Sequence, residues 1–79
     1  MKNMTDRTGL PIRGGDVLQN VFDKTFRFPV IRAPEGHLFL GDYDSPLERF
    51  EPQKWWRVSW RDGRKMKERK LLLLGGKKK

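Results

Sequence analysis

The chain of 79 residues contains no cysteine and only one histidine. Without cysteine it has no disulfide and no thiolate metal site, which is typical of proteins from a reducing compartment. Its longest apolar run, the leucines at residues 71–74, is far below the ~18 residues that a membrane-spanning helix needs. Nothing near the start resembles a signal peptide. We therefore expect a soluble, cytoplasmic protein without a membrane partner.

Groups that commonly carry catalysis or bind metals are sparse. The single histidine, His37, stands beside a predicted turn, where a structural or exposed role is more common than a catalytic one. Asp42, Asp44, Glu48 and Glu51 form an acidic patch, but the glycine and the bidentate glutamate of a calcium loop are missing at the required offsets. The glycine pairs lack the spacing of a phosphate-binding loop. We expect no enzyme, no metal and no cofactor.

Positive charge is concentrated in the last third of the chain. Residues 54–79 contain 11 Lys/Arg and 2 Asp/Glu, a net charge of +9, whereas residues 1–53 have a net charge of −1. All three tryptophans, Trp55, Trp56 and Trp60, fall in the basic part. A one-sided positive field attracts polyanions, and aromatic rings among cations can stack on nucleic-acid bases. This pattern favours a binding surface.

The length allows one domain at most. Residues 1–15 are polar and rich in glycine, which predicts a flexible N-terminal arm; residues 16–74 form the predicted compact β-rich domain, and residues 75–79 a disordered basic tail. Asp16 is a candidate N-cap, and the apolar side chains of residues 17–22 follow helical spacing over roughly two turns. A strand is the alternative, because valine and phenylalanine also suit strands.

The middle of the chain carries signals for a β-hairpin. Residues 25–31 alternate in hydrophobicity, and Pro29 places this strand at an edge or a bulge. Residues 33–36 have the proline and glycine positions of a β-turn, and residues 37–40 form a second short strand. Residues 41–53 are acidic and rich in turn formers, which predicts a long loop with one helical turn.

The strongest strand signal spans residues 54–61. Asp62 and Gly63 follow it, and Asp-Gly between strand-like runs is a strong signal for a hairpin turn. Residues 65–74 would form the return strand. The sequence therefore predicts a C-terminal hairpin that contains most of the cations and all three tryptophans.

The register of this hairpin decides which side chains share a face. A two-residue turn places Trp60 opposite Lys65 and Val58 opposite Lys67, so that tryptophan and lysine interleave on one face. A three-residue loop pairs Val58 with Met66 and gives a better core. A shift of one residue exchanges the two faces of a strand. The sequence leaves the register open, and with it the question of which tryptophans are buried.

Residues 56–65, Trp-Arg-Val-Ser-Trp-Arg-Asp-Gly-Arg-Lys, resemble the strand–turn–strand of arm-type DNA-binding domains of phage integrases. Those domains are three-stranded sheets that lay strands in the major groove. The resemblance covers ten of 79 residues, and the helix that follows the sheet in that family has no counterpart in the glycines and lysines of residues 75–79.

The proportions of residues 15–74 are similar to those of small SH3-like or Tudor-like barrels. We expect an α+β fold that is mostly β. It would be a small antiparallel sheet or such a barrel, with one short helix and flexible termini.

These observations predict a small basic nucleic-acid-binding protein with a regulatory or accessory role, of the type that phages encode. The sequence does not distinguish DNA from RNA or single strands from duplexes. The alternative is an adaptor or inhibitor that docks on a larger assembly, such as RNA polymerase or a ribonucleoprotein, through residues 1–15 and 71–74. The predicted nucleic-acid interface consists of Trp55, Trp56, Arg57, Trp60, Arg61, Arg64, Lys65, Lys67, Arg69 and Lys70.

Overall fold

The computed structural model describes residues 4–67, which fold around a five-stranded antiparallel sheet. Its elements are β1 (Val17–Asn20), β2 (Arg27–Arg32), β3 (Leu38–Leu40), a 3-10 helix (Leu47–Phe50), α1 (Pro52–Trp55), β4 (Trp56–Arg61) and β5 (Arg64–Lys65). The strand order is β3-β2-β1-β4-β5. The expectation of a mostly β chain with a small antiparallel sheet and a short helix is confirmed. The sheet is open, so the barrel alternative is not confirmed.

The central strand β1 occupies the segment for which helical spacing favoured a helix. That prediction is wrong, and the strand alternative is confirmed. Leu18 lies opposite Phe28 of β2 on one side and opposite Val58 of β4 on the other, and its side chain is fully buried. A helix of two turns is too short to be stable by itself, whereas a central strand gains a ladder of hydrogen bonds along both edges.

The predicted hairpin of β2 and β3 is confirmed. Val30 lies opposite Leu40, and the N–H of Gly36 donates to the carbonyl of Ala33 at 2.8 Å to close the turn. Pro29 is the last residue of β2 that pairs with β1, and pairing with β3 begins at the next residue. Proline lacks an N–H, so it is tolerated where a strand changes partners.

The acidic loop after β3 contains the predicted helical turn, which is the 3-10 helix. The structure adds a second turn, α1, where the sequence predicted the start of a strand. Glu51 joins the two turns with φ 47°, and Pro52 takes the first helical position, where its missing N–H costs no hydrogen bond. Together they form one short bent helical segment that inserts the fully buried Leu47 into the core.

The hairpin of β4 and β5 has the two-residue turn. Asp62 and Gly63 have φ values of 53° and 76°, as a type I′ turn requires at both central positions. Trp60 therefore lies opposite Lys65. This register is the first of the two alternatives, and the three-residue loop does not occur. The rest of the predicted return strand from residue 68 and the tail at residues 75–79 lie outside the described residues.

Residues 4–15, expected to be part of a flexible arm, pack against the sheet instead. The reason is the carboxylate of Asp6, which is 1% exposed. It accepts hydrogen bonds from the N–H and the hydroxyl of Thr8 and from the N–H of Leu10. Its second oxygen accepts a 2.7 Å hydrogen bond from the N–H of Val58 in β4. One buried side chain thus shapes the N-terminal turn and attaches it to the sheet.

This N-terminal segment covers the part of the β4 edge that β5 does not reach. The N–H of Arg7 donates to the carbonyl of Trp56 at 2.8 Å, so the segment adds backbone pairing to the strand. The core lies between one face of the sheet, the N-terminal segment and the helical turns. It consists of Ile12, Leu18, Val30, Leu40, Leu47, Trp56 and Val58. No helix within residues 4–67 has both the length and the apolar character needed to cross a membrane.

Candidate nucleic-acid interface

A β-bulge in β4 sets the arrangement of the candidate site. Leu18 lies opposite Val58 and Val17 lies opposite Trp60, so Ser59 is an additional residue in β4. The Ser59 hydroxyl donates to the carbonyl of Val17 at 3.2 Å and holds the bulge against β1. Such an insertion interrupts the alternation of side chains along a strand. From this point on, each β4 side chain lies on the face opposite to the one that strict alternation predicts.

The first consequence concerns Arg61, which the sequence assigned to phosphate binding. The bulge places it on the core face, where its Nε and Nη2 donate to the two carboxylate oxygens of Asp16 at 2.8 and 2.7 Å. Nη2 also donates to the carbonyl of Pro11. The hydrogen bond to Asp16 raises the pKa of Arg61 above its usual value. The side chains of Arg61 and Asp16 are only 12% and 2% exposed, so Arg61 fastens the fold and is not available to a ligand.

The second consequence concerns Trp60, which joins a groove on the open face of the sheet, opposite the core. We call it the cationic groove; it has a volume of about 840 Å³. Gln19, Arg57 and Ser59 form its floor, the β1–β2 loop forms one side, and Trp60 with residues 65–67 forms the other. Its lining residues are Gln19, Lys24, Thr25, Arg27, Arg57, Ser59, Trp60, Lys65, Met66 and Lys67.

A row of polar side chains crosses the floor of this groove. Gln19 lies opposite Arg27 of β2 and opposite Arg57 of β4, so the three occupy neighbouring strands. The Nη1 of Arg57 donates to the side-chain oxygen of Gln19 at 2.8 Å, and the side-chain nitrogen of Gln19 donates to the carbonyl of Lys24 at 3.0 Å. These bonds connect the Arg57 guanidinium, through Gln19, to the β1–β2 loop at the side of the groove.

The groove combines cations from both halves of the chain. Lys24 and Arg27 come from the first half, and Arg57, Lys65 and Lys67 come from the second; no carboxylate is present among the described residues that line it. Side chains of one charge in a shared recess create a positive potential that concentrates anions. The sequence missed Lys24 and Arg27 because residues 1–53, taken together, have a net charge of only −1. Only the alternating position of Arg27 between two phenylalanines indicated a solvent-facing cation.

The three tryptophans have different surroundings. Trp56 is 7% exposed and belongs to the core, with its ring edge-on to Phe28 and Phe50, so it cannot stack on a base. Trp55 is 38% exposed, but it lies outside the groove and its Nε1 donates to Glu51 at 3.3 Å. Trp60 is 43% exposed and is the only tryptophan that lines the groove.

The remaining predicted interface residues fall into two groups. Arg64 is exposed on the hairpin but is not among the residues that line the groove. Arg69 and Lys70 lie outside the described residues. Of the predicted set, the groove therefore brings together Arg57, Trp60, Lys65 and Lys67.

A second surface contains exposed aromatic rings. Phe28 lies opposite Leu18 on the core face of the sheet but remains partly exposed, and Phe22 is 71% exposed. The rings of Phe22 and Trp55 are 5.5 Å apart. We call Phe22, Phe26, Phe28 and Trp55 the aromatic surface. None of the four lines the cationic groove.

The acidic loop and the single histidine have local structural contacts. Asp42 accepts hydrogen bonds from the N–H of Asp44 and the hydroxyl of Ser45, which shapes the turn after β3. His37 is 3.4 Å from a carboxylate oxygen of Glu48. Within residues 4–67 no group of three or more His, Asp or Glu side chains is arranged to hold a metal ion.

Comparison of the chain with protein-family models, with curated proteins and with solved structures returns no match.

Proposed function

We propose that the chain binds nucleic acid through the cationic groove, as a small cytoplasmic protein with a regulatory or accessory role. The observation that carries this proposal is the convergence of five cationic side chains and one exposed tryptophan in a recess whose described lining holds no carboxylate. Nucleic acid is the abundant ligand that offers both phosphates for the cations and flat bases for the ring.

The arrangement of the cations supports a polyanion over a single small anion. Arg27 lies on β2 and Lys65 on β5, at opposite sides of the groove. Arg57 lies between them on β4. Cations distributed across a surface bind successive phosphates and release their counterions, so affinity falls steeply as salt rises. Lysines contribute little sequence selectivity, because phosphate contacts carry no base information.

Replacing single groove cations is the first test. Lys65→Ala, Lys67→Ala and Arg27→Ala are each expected to weaken binding to all nucleic-acid targets alike. Each is also expected to reduce the slope of log K against log salt by about 1, since one phosphate contact is lost. The measurement is fluorescence anisotropy of a labelled oligonucleotide at several salt concentrations.

Arg49→Ala is the matched control for these variants. Arg49 is an exposed cation on the 3-10 helix and does not line the groove. Its removal lowers the net charge by the same amount and is expected to leave the slope nearly unchanged. If Arg49→Ala lowered the affinity and the salt slope as much as the groove variants do, net charge and not this groove would determine binding.

The aromatic surface favours a second candidate function, an adaptor or inhibitor that docks on a larger assembly such as RNA polymerase or a ribonucleoprotein. Four large aromatic side chains with more than a third of their surface exposed are typical of a protein-binding site when they are contiguous, and the rings of Phe22 and Trp55 are in contact. The contact elements differ from those expected from sequence, because residues 4–15 are packed against the sheet and residues 71–74 lie outside the described part of the chain.

Substitution of two phenylalanines on the aromatic surface tests this candidate. A pull-down from nuclease-treated lysate is expected to retain a stoichiometric partner with the natural chain and to lose it with the Phe22→Ser/Phe26→Ser variant. Both side chains are more than half exposed, so the fold should persist. A partner that disappears with nuclease treatment alone, or one that the double variant retains, argues against docking through this surface.

A further inference from the structure

We propose that the cationic groove takes a single strand and excludes the duplex, with one base stacked on Trp60. This inference rests on the proposed function and adds the form of the ligand. Three features of the groove support it: its concave shape, the position of Trp60 inside it, and the position of Lys65 beside that tryptophan.

The shape of the groove is the first argument. From β2 to β5 it spans three interstrand distances, about 14 Å. Proteins that read the major groove insert a protruding helix or a two-stranded ribbon between the duplex backbones. Here the floor cation Arg57 and the ring of Trp60 line a recess instead. An intact duplex would reach the rims of the recess, whereas a single strand can enter it with both its phosphates and its bases.

The position of Trp60 is the second argument. A fully paired duplex keeps its bases stacked on each other, so an indole in a recess meets a free base face only in a single strand. The ring is 43% exposed although it belongs to a strand of the sheet. The bulge at Ser59 places Trp60 opposite Val17, on the groove face and away from the core.

The neighbouring cation is the third argument. Lys65 lies directly opposite Trp60 across the β4–β5 ladder, and both line the groove. Directly opposite residues in an antiparallel pair have Cβ atoms about 5 Å apart. A base on the indole would therefore bring its own phosphate within reach of the Lys65 ammonium. Stacking and charge neutralisation then act on one nucleotide.

The experiment compares a single strand of about 12 nucleotides with a duplex of the same length, as DNA and as RNA, for binding to the full chain at several salt concentrations. The single strand is expected to bind more tightly. Trp60→Leu, which keeps apolar bulk and loses the aromatic face, is expected to weaken single-strand binding about 5- to 150-fold and to leave duplex binding unchanged. Trp60→Phe should restore part of the loss, which separates stacking from misfolding.

Trp55→Leu is the matched control, because Trp55 has a similar exposure but belongs to the aromatic surface. It is expected to bind single strands like the natural chain. Duplex binding as tight as single-strand binding, or an unchanged affinity in Trp60→Leu, would overturn this inference while a salt-dependent affinity would still support the nucleic-acid function. Absence of binding to every oligonucleotide at low salt would overturn both.

Discussion

Asp6→Ala is expected to lower the free energy of unfolding by about 3–5 kcal/mol. The buried carboxylate accepts four hydrogen bonds, and three of their donors belong to the N-terminal segment itself. Without it, the N–H of Val58 is left unpaired beside the core, and the turn around Thr8 loses its organising acceptor. A small domain has only about 5–15 kcal/mol of stability in total. Urea denaturation followed by tryptophan fluorescence measures the loss.

Asp23→Ala provides a matched control within the same chain. The carboxylate of Asp23 accepts hydrogen bonds from the N–H and the hydroxyl of Thr25, as Asp6 does from Thr8. These bonds lower the pKa of Asp23, but the residue is exposed and its carboxylate does not reach the sheet through any hydrogen bond in the described part of the chain. Its replacement should change stability little. If Asp6→Ala and Asp23→Ala lowered the free energy of unfolding by similar amounts, the buried carboxylate of Asp6 would have no special role in stability.

The second large effect is expected from Asp16→Ala, which should cost roughly 3 kcal/mol or more of unfolding free energy. The substitution removes the carboxylate partner of the mostly buried Arg61 side chain, which keeps the carbonyl of Pro11, and it also removes the acceptor of the Arg13 N–H. Removing one partner of a buried ion pair is strongly destabilising. A double variant, Asp16→Leu/Arg61→Met, is expected to recover much of the loss, because it removes both charges and keeps apolar volume. Thermal or urea unfolding of the three variants gives the comparison.

Glu51→Gln is the control for this second prediction. It breaks the ion pair between Glu51 and Lys54, whose atoms are 3.3 Å apart but whose side chains are nearly half exposed. Exposed pairs contribute at most about 1 kcal/mol. If Asp16→Ala were no more destabilising than Glu51→Gln, the pair with Arg61 would not stabilise the contact between the end of β4 and the start of β1.

The sequence predicted those parts of the fold that are determined by residues close together in the chain. Asp62 and Gly63 are adjacent and tolerate positive φ, so the position of the turn follows from two residues, although the sequence left its register open. The β2–β3 hairpin likewise depends on a turn of four neighbouring residues. In contrast, β1 is a strand because β2 and β4 pair with both of its edges, and no window of the sequence around β1 contains that information.

The sequence predicted only part of the candidate site, because contacts between distant residues shape the rest of it. Strict alternation would place Trp60 on the face of Trp56 and Val58, but the bulge at Ser59 moves it to the other face. That bulge and the position of Arg61 depend on contacts with Val17 and Asp16, more than 40 residues away in sequence. The Asp-x-Thr motif occurs at Asp6 and again at Asp23, and one copy is buried while the other is exposed. The two copies share the aspartate and the threonine, and the motif alone does not tell which copy is buried.

The bond between the carboxylate of Asp6 and the N–H of Val58 joins residues 52 positions apart. The order of synthesis therefore differs from the order of assembly: residues 4–15 are made before β4, but Asp6 obtains its partner Val58 only after β4 has been made. Until β4 has been made, the central strand β1 can pair only with β2, and its other edge offers unpaired backbone groups to any extended chain.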